Sequence, residues 1–279
     1  MEPLPPAEVA RAESDAAGSS PAAVTRLRGG RIERVTAQIA AEVPIALEYN
    51  GISHAVMLAT PRDLEDFALG FSLSEGLIHR ASDLYDIEVQ RSRDGITLAI
   101  DVSSAAFAQL KARRRTLAGR TGCGICGTES LDQVLRPIPP LAGRGPRVEA
   151  AALARANAAL TDWQRLQRET GATHAAAWCS VHGDVLCVRE DVGRHNALDK
   201  LIGALAHARH DVASGFALIT SRASVEMVQK SATCGMALLV AVSAPTSLAV
   251  RVAAQCGQTL VGFARGADFS VYTYEGRIL

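Results

Sequence analysis

The second half of the sequence alternates strand-like apolar runs with helix-like segments, and this alternation constrains the fold more than any other feature. Two runs, His174–Val181 and Val185–Val188, are predicted to form a hairpin across Gly183-Asp184. The later predicted elements are helix Asn196–His207, strand Phe216–Thr220, helix Ser224–Cys234, strand Ala237–Val242, helix Thr246–Cys256, and strands Leu260–Phe263 and Phe269–Tyr274. This pattern indicates an α/β fold with a largely parallel sheet that helices cover on both faces.

The first half is predicted to form a smaller subdomain of hairpins and helices. Asn50-Gly51, typical of a type I′ turn, joins strand-like runs. The predicted elements are strands Val43–Tyr49 and Ile52–Ala59, a helix capped by Thr60 over 61–78, strands Ile87–Arg91 and Ile96–Val102, and helix Ala105–Leu117. A long helix, Val148–Glu169, is predicted to begin the α/β domain. Ala, Pro and Ser make up half of residues 1–28, which predicts a disordered tail. We therefore expect a tail over 1–28, an N-terminal subdomain over 29–147 and an α/β domain over 148–279.

Composition excludes several classes of protein. Lys plus Arg and Asp plus Glu both number 29, so the overall electrostatic field of the protein does not favour binding to nucleic acid. Only 4% of the residues are aromatic, which disfavours binding by stacking on bases. No run approaches the roughly 18 apolar residues of a membrane span. The N-terminus has Pro and Glu where a signal peptide needs a basic start and an apolar core, which favours the cytoplasm.

Cys123 and Cys126 form a C-x-x-C within Gly122-Cys123-Gly124-Ile125-Cys126-Gly127. Glycines leave the sulfur atoms uncovered and the loop mobile, while Arg120 and the basic run 111–115 favour the thiolate. A helix beginning near Thr128 would add its positive end. Structural zinc usually needs a second close pair of ligands, and the other four cysteines form none. We therefore predict a reactive pair without a structural metal, and four cysteines in the core.

Two other cysteine chemistries fit less well. A thioredoxin-like motif should begin a helix after the first strand of a βαβ unit, whereas this motif follows a helical stretch. Zinc deaminases need His-x-Glu followed by Pro-Cys-x-x-Cys. The nearest match, His174-Ala175-Ala176, lacks the glutamate that would act as general acid and base.

Polar residues follow several of the predicted strands, where ligands bind in sheets of this kind. The segment 190–196 contains Asp191, Arg194 and His195, more polar groups than a helix cap requires. Ser221 and Arg222 precede a helix, an arrangement typical of anion sites, and Arg265 stands beside a glycine. Lys200 and Lys230 are interpreted as helix-surface charges. The pattern predicts a polar ligand that bears phosphates.

Together these segments resemble the FdhD family, the formate dehydrogenase accessory sulfurtransferases. The resemblance covers about residues 30–279. It rests on the cysteine motif, Glu190–Lys200 (EDVGRHNALDK), Thr220–Lys230 (TSRASVEMVQK), Ser243–Thr246, Thr259–Gly266 (TLVGFARG), and Arg62–Ile78. The string Asp-Val-Gly-Arg-His-Asn is the most specific part.

The resemblance implies a function, a substrate and a fold. Cys123 would accept sulfur from a cysteine desulfurase as a persulfide, with Cys126 beside it, and pass it to bis(molybdopterin guanine dinucleotide), the bound substrate that then enters formate dehydrogenase. The implied fold is a cytidine-deaminase-like mixed sheet without the zinc site, in a homodimer. The family's proposed cofactor-binding stretch maps to Phe263, Ala264, Arg265, Gly266, Ala267 and Asp268. A non-enzymatic chaperone of the same cofactor remains an alternative.

Overall fold

The computed structural model describes residues 18–118 and 137–279. The strands are β1 Ser19–Arg28, β2 Arg31–Ala40, β3 Val43–Tyr49, β4 Ile52–Ala59, β5 Leu84–Arg91, β6 Ile96–Val102, β7 His174–Ser180, β8 Val185–Asp191, β9 Gly215–Ile219, β10 Leu238–Ala241, β11 Thr259–Arg265 and β12 Asp268–Thr273. The helices are α1 Leu64–Ser74, α2 Ser104–Ala118, α3 Ala150–Trp163, α4 Arg165–Thr170, α5 Arg194–His207, α6 Val225–Thr233 and α7 Ser247–Cys256.

A six-stranded sheet organises the second half, with strand order β12-β11-β10-β9-β7-β8. One apolar cluster packs α5, α6 and α7 on one face, and another packs α3 on the opposite face. This confirms the predicted α/β fold with helices on both faces. The β7–β8 pair is antiparallel, as the predicted hairpin requires, and the sheet is mixed, as the resemblance implies. The expectation of a largely parallel sheet is wrong beyond the centre: β9, β10 and β11 are parallel, but the β7–β9 and β11–β12 pairs are antiparallel. Tight hairpins join β7 to β8 and β11 to β12, and a hairpin can join only antiparallel strands.

A four-stranded sheet organises the first half, with strand order β4-β3-β6-β5. Asn50 and Gly51 have φ values of 46° and 76°, as the predicted type I′ turn requires. Phe67 and Phe71 of α1 and Leu110 of α2 pack on one face of this sheet. The face turned away from α1 is called the outer face below.

The predicted tail is wrong for residues 19–28. Ser19–Arg28 forms β1, which pairs along its whole length with β2 in a separate two-stranded sheet. Both strands are largely exposed, so their sequences lack the alternation that signals a half-buried strand. Residues 1–17 of the predicted tail lie outside the described residues.

Two further local predictions differ from the structure. The long helix over 148–169 is broken at Gln164 because the Glu190 carboxylate accepts the N–H groups of Leu166 and Gln167, at 2.8 and 2.9 Å, and starts α4 there. Thr60 does not cap α1, whose N-cap position is Asp63. Thr60 instead contacts the segment after β8.

The two sheets are joined where α1 crosses α5. Gly70 and Gly203 lie at the crossing, where a Cβ on either residue would collide with the backbone of the other helix. Such close approach requires glycine. The crossing brings side chains of α1 within reach of α5 and α6.

Two buried ion pairs flank this crossing, and they contradict the interpretation of both lysines as surface charges. Lys200 Nζ lies 2.6 Å from an oxygen of Asp191, and both side chains are fully buried. Lys230 Nζ lies 2.9 Å from both oxygens of Asp199 and 2.7 Å from Glu75. Burial by itself would lower the pKa of Lys230, but the charges of Asp199 and Glu75 raise it above its ordinary value.

Candidate functional site

One edge of the six-stranded sheet gathers most of the predicted ligand residues. The strands β8, β9, β10 and β11 run in the same direction and end at this edge, and β7 begins there. The helices α5, α6 and α7 each begin within a few residues of a strand end. Three helix N-termini therefore bring free N–H groups and positive dipole ends to one edge, which favours an anionic ligand.

The loops at this edge are bonded to one another. Ala223 N–H donates to the carbonyl of Ala244 at 3.2 Å, and Thr246 N–H donates to the carbonyl of Ala223 at 3.0 Å. A Cβ on Gly262 would lie only 2.8 Å from Pro245, so the strand β11 approaches the loop after β10 too closely for any other residue. These contacts hold the loops after β9 and β10 and the strand β11 together as one platform.

A cavity of about 580 Å³ opens beside the platform. It lies between the helical pair α3–α4 and the strand ends, and its lining includes Gln164, Gln167, Thr173, His174, Thr220 and Val242. That volume is within the range of small-molecule sites. A second cavity of about 500 Å³ lies near Met236, just before β10. Neither cavity is lined by a predicted ligand residue, but Thr220 and Val242 of the first cavity stand within two residues of the platform loops.

Arg194 and His195 occupy the first turn of α5 at this edge. Burial, and then the charges of Arg194 and Lys230, lower the pKa of His195 to about 4. Burial and the charge of Arg194 also lower the pKa of His174. Both imidazoles are therefore neutral at pH 7. The buried Nε of Arg194 has no hydrogen-bond partner among the described residues, so this guanidinium keeps a donor for a ligand.

Asp191, predicted as a ligand contact, points into the protein instead. Its carboxylate accepts from the N–H groups of Thr60 and Gly193 and from the side chain of Asn196, at 3.0, 2.7 and 3.0 Å, in addition to Lys200. Four partners leave it no free position for a base edge. Its role in the structure is to fix the backbone that carries Arg194 and His195.

The other predicted ligand residues differ in exposure. Ser221 is buried, and its hydroxyl donates to the Arg222 carbonyl at 3.0 Å, whereas the side chain of Arg222 is exposed. Phe263, Ala264 and Arg265 end β11, Gly266 and Ala267 form the turn, and Asp268 begins β12. Phe263 is 44% exposed and has a φ of 55°, while Ala264 is buried. Arg222 and Arg265 thus remain the accessible cations of this set.

The cysteine prediction divides between described and undescribed parts of the chain. Cys123 and Cys126, with the loop 121–127, lie outside the described residues. Of the other four, Cys179 and Cys256 are buried and Cys187 and Cys234 are half-buried. Burial raises the pKa of Cys179 to about 12, so this thiol stays protonated and unreactive at neutral pH.

Comparison with known proteins decides the family. The family model described as "FdhD/NarQ family" matches residues 40–279. The chain belongs to this family. The match covers both sheets but excludes the β1–β2 hairpin, which ends at Ala40.

Curated FdhD relatives match most of the chain. The chain is 59% identical over 240 residues to "Sulfur carrier protein FdhD" of Variovorax paradoxus, which covers 86% of each chain. It is 56% identical to the Cupriavidus necator protein of the same name, over 92% of this chain and 88% of that one. The Bordetella petrii protein of that name is 53% identical, over 92% of this chain and 93% of its own length.

A solved structure shows the same fold. It is the crystal structure of a Desulfotalea psychrophila protein described as a formate dehydrogenase accessory protein, with a TM-score of 0.74 and 23% identity. The match covers 94% of this chain and 99% of that one. In this FdhD/NarQ chain, no helix among the described residues is long and apolar enough to cross a membrane.

Sequence reasoning missed the residues that support the site of this FdhD/NarQ protein. Thr60, Ser74 and Glu75 come from the first half of the chain, yet they contact buried charges of α5 and α6: Lys200, Asp199 and Lys230 respectively. A signal was present: the chain has only three lysines, and two of them lie among apolar helix residues. Long-range partners for those lysines could not be read from local spacing.

Proposed function

We propose that this chain is a sulfur carrier that delivers sulfur to the molybdenum cofactor of formate dehydrogenase. Cys123 takes sulfur from a cysteine desulfurase as a persulfide, and bis(molybdopterin guanine dinucleotide) is the substrate that receives it. The observation that carries the proposal is an identity of 53–59% to three curated sulfur carrier proteins over at least 86% of this chain.

The geometry of the sheet edge supports a negatively charged substrate. The proposed cofactor carries two pyrophosphate groups, and phosphates bind at helix N-termini and to arginines. Three helices begin at this edge, Arg222 and Arg265 are exposed there, and a cavity of about 580 Å³ adjoins it. We assign Arg222 and Arg265 to the phosphates, with Arg194 as a further donor.

Three of the four described thiols are unsuited to carry sulfur, which supports a carrier on the C-x-x-C motif. Burial raises the pKa values of Cys179, Cys187 and Cys256, which makes each a poor thiolate. A persulfide carrier must ionise and must meet both donor and acceptor, which a buried strand residue cannot do. A reducing compartment such as the cytoplasm would keep Cys123 available.

Sulfur transfer through this pair balances without an external oxidant. The Cys123 thiolate attacks the outer sulfur of the donor persulfide, one S–S bond forms, the donor's S–S bond breaks, and the donor cysteine leaves as a thiolate. In delivery, the Cys126 thiolate attacks the inner sulfur of the Cys123 persulfide, and the outer sulfur leaves as sulfide with the electron pair. The resulting disulfide is then reduced by a cellular dithiol.

Intact-mass spectrometry tests the proposal directly. The full chain is incubated with a cysteine desulfurase and cysteine, and an adduct of about 32 Da, one sulfur atom, is expected. Cys123→Ala should abolish the adduct, whereas the matched control Cys187→Ala, a half-buried thiol, should retain it. No adduct on the wild type, together with intact cofactor binding, would favour the chaperone alternative. The proposal also includes a homodimer and a transfer of the loaded cofactor to formate dehydrogenase.

A further inference from the structure

The β1–β2 hairpin extends from the rest of the chain and exposes an apolar tip. Its strands have ten residues each, and they contact the body mainly at α4. Leu27 and Ile32 face each other across the hairpin and are 70% and 75% exposed. A two-stranded ribbon is only marginally stable by itself in water, and exposed apolar pairs indicate a docking surface.

The tip is also basic. Arg34 lies on the same face as the Leu27–Ile32 pair, and Arg28 and Arg31 pair with each other on the opposite face. All three arginines are exposed. Arg26 is partly compensated by Glu33, whose carboxylate lies 4.0 Å away. The tip therefore fits a surface that is both apolar and acidic.

The outer face of the four-stranded sheet has that complementary character. Val56 and Leu58 of β4 are 63% and 58% exposed on it. Four acids also point outward from the neighbouring strands by the alternation of the strands: Glu48 on β3, Asp86 and Glu88 on β5, and Asp101 on β6. The outward positions of these four described strands include no basic residue.

These acids repel one another in the single chain. Asp86 lies directly opposite Asp101, and Glu48 and Glu88 flank Ala99 on its two sides. Like charges that face each other across a sheet are destabilising, so a cationic partner would relieve the repulsion. The hairpin does not serve this role within its own chain, because the tip and the β4 residues all stay exposed.

We propose that two copies form a two-fold dimer in which each β1–β2 hairpin tip packs on the outer face of the other copy's four-stranded sheet. Leu27 and Ile32 would cover Val56 and Leu58, and Arg34, on the same face of the hairpin, would meet the outward acids. This proposal specifies the contact surface of the homodimer. It therefore rests on the homodimer that the proposed function includes. A two-fold axis makes the contact twice, which doubles the buried area.

Charge reversal tests this contact in the full-length chain. The hairpin variant is Arg34→Glu, which reverses the arginine on the face of Leu27 and Ile32, and the sheet variant is Glu48→Arg/Glu88→Arg. Each variant alone would place like charges in both contacts, so we expect its dimer dissociation constant to rise by at least about tenfold. An equimolar mixture restores unlike charges in both contacts, so heterodimers should form with affinity near that of the wild type.

Sedimentation velocity measures the masses, and circular dichroism confirms that each variant is folded. The matched control, Arg209→Glu/Arg251→Glu, reverses two exposed arginines elsewhere and should stay dimeric. A monomeric wild type would overturn the dimer and favour another acidic, apolar partner for the tip. Variants that dimerise like the wild type, or a mixture that stays monomeric, would overturn this surface alone. Persulfide loading of Cys123 is measured separately by mass spectrometry. A failure of sulfur transfer can therefore be distinguished from a failure of this dimer contact.

Discussion

Replacing Lys200 by Met removes one charge from an ion pair that is fully enclosed among the described residues. Lys200 Nζ lies 2.6 Å from Asp191 and donates to the Thr60 carbonyl at 2.8 Å. Methionine has a similar length and apolar body but no charge. The Lys200→Met variant therefore leaves the Asp191 carboxylate buried without its counter-charge, although three N–H donors still bond to it.

The expected cost follows from that burial. Removing one partner of a buried ion pair costs about 3–5 kcal/mol. The three remaining donors to Asp191 stabilise the carboxylate, so we expect the lower end, about 3 kcal/mol. For a domain of this size the midpoint of thermal unfolding should fall by about 6–12 °C.

Urea unfolding at pH 7, followed by circular dichroism, measures this free energy. Lys111→Met is the matched control: it changes the remaining lysine of the chain, which is exposed on α2, and should alter stability by less than about 0.5 kcal/mol. The double variant Asp191→Asn/Lys200→Met removes both charges and should recover part of the loss. A loss below about 1 kcal/mol in Lys200→Met, or a double variant no better than the single one, would refute the reasoning.

Three other predictions concern the site. Cys123→Ala should abolish formate dehydrogenase activity in cells that carry only this variant. Cys126→Ala should be less severe because a cellular thiol can attack the Cys123 persulfide in place of Cys126; full activity of the first variant would contradict the carrier role. GDP should bind more tightly than ADP in calorimetry, and Arg265→Ala should weaken GDP about tenfold to a hundredfold, the loss of one charge-assisted contact; equal affinity for the two nucleotides would remove guanine recognition. Folding lowers the pKa of His195 from 6.5 to about 4. As the pH falls from 6.5 to 4 the unfolded state therefore binds a proton that the folded state does not, and the free energy of unfolding should decrease over this range. Melting curves of His195→Gln should show a smaller drop, and an unchanged one would exclude His195 as its source.

The sequence predicted the helices and strands of the second half closely because each is bounded by a turn signal. Thr246 caps α7 through a bond from the Ala249 N–H, and the strand β10 was expected within one residue of its observed ends. Strand direction was harder to predict. Alternating strands and helices favour parallel strands, whereas the short connections from β7 to β8 and from β11 to β12 require antiparallel strands. The β1–β2 hairpin was missed because neither of its faces is buried enough to impose a pattern.

The meeting of the strand-end loops at one edge was predictable from the sequence, but the contacts of their residues were not. The loops that follow β8, β9, β10 and β11 do meet at one edge, as alternating strands and helices imply. Whether a polar side chain points outward or inward depends on partners far away in the sequence. Asp191 is held by Thr60, which lies 131 residues earlier, and no local pattern reveals that contact.

The most distinctive motif of the chain therefore acts mainly as a support, and the less distinctive arginines are left to bind. In the segment 190–196, Glu190 starts α4, Asp191 pairs with Lys200, and Asn196 bonds to Asp191 and to the Leu58 carbonyl. Charges satisfied in this way contribute to stability and cannot also compensate a phosphate. Arg222 and Arg265 are exposed at the same edge, so their loss should weaken ligand binding while leaving unfolding nearly unchanged. Substitutions of Glu190, Asp191 or Asn196 should do the reverse, and measuring both quantities on one pair, Asp191→Asn and Arg265→Ala, separates the two roles.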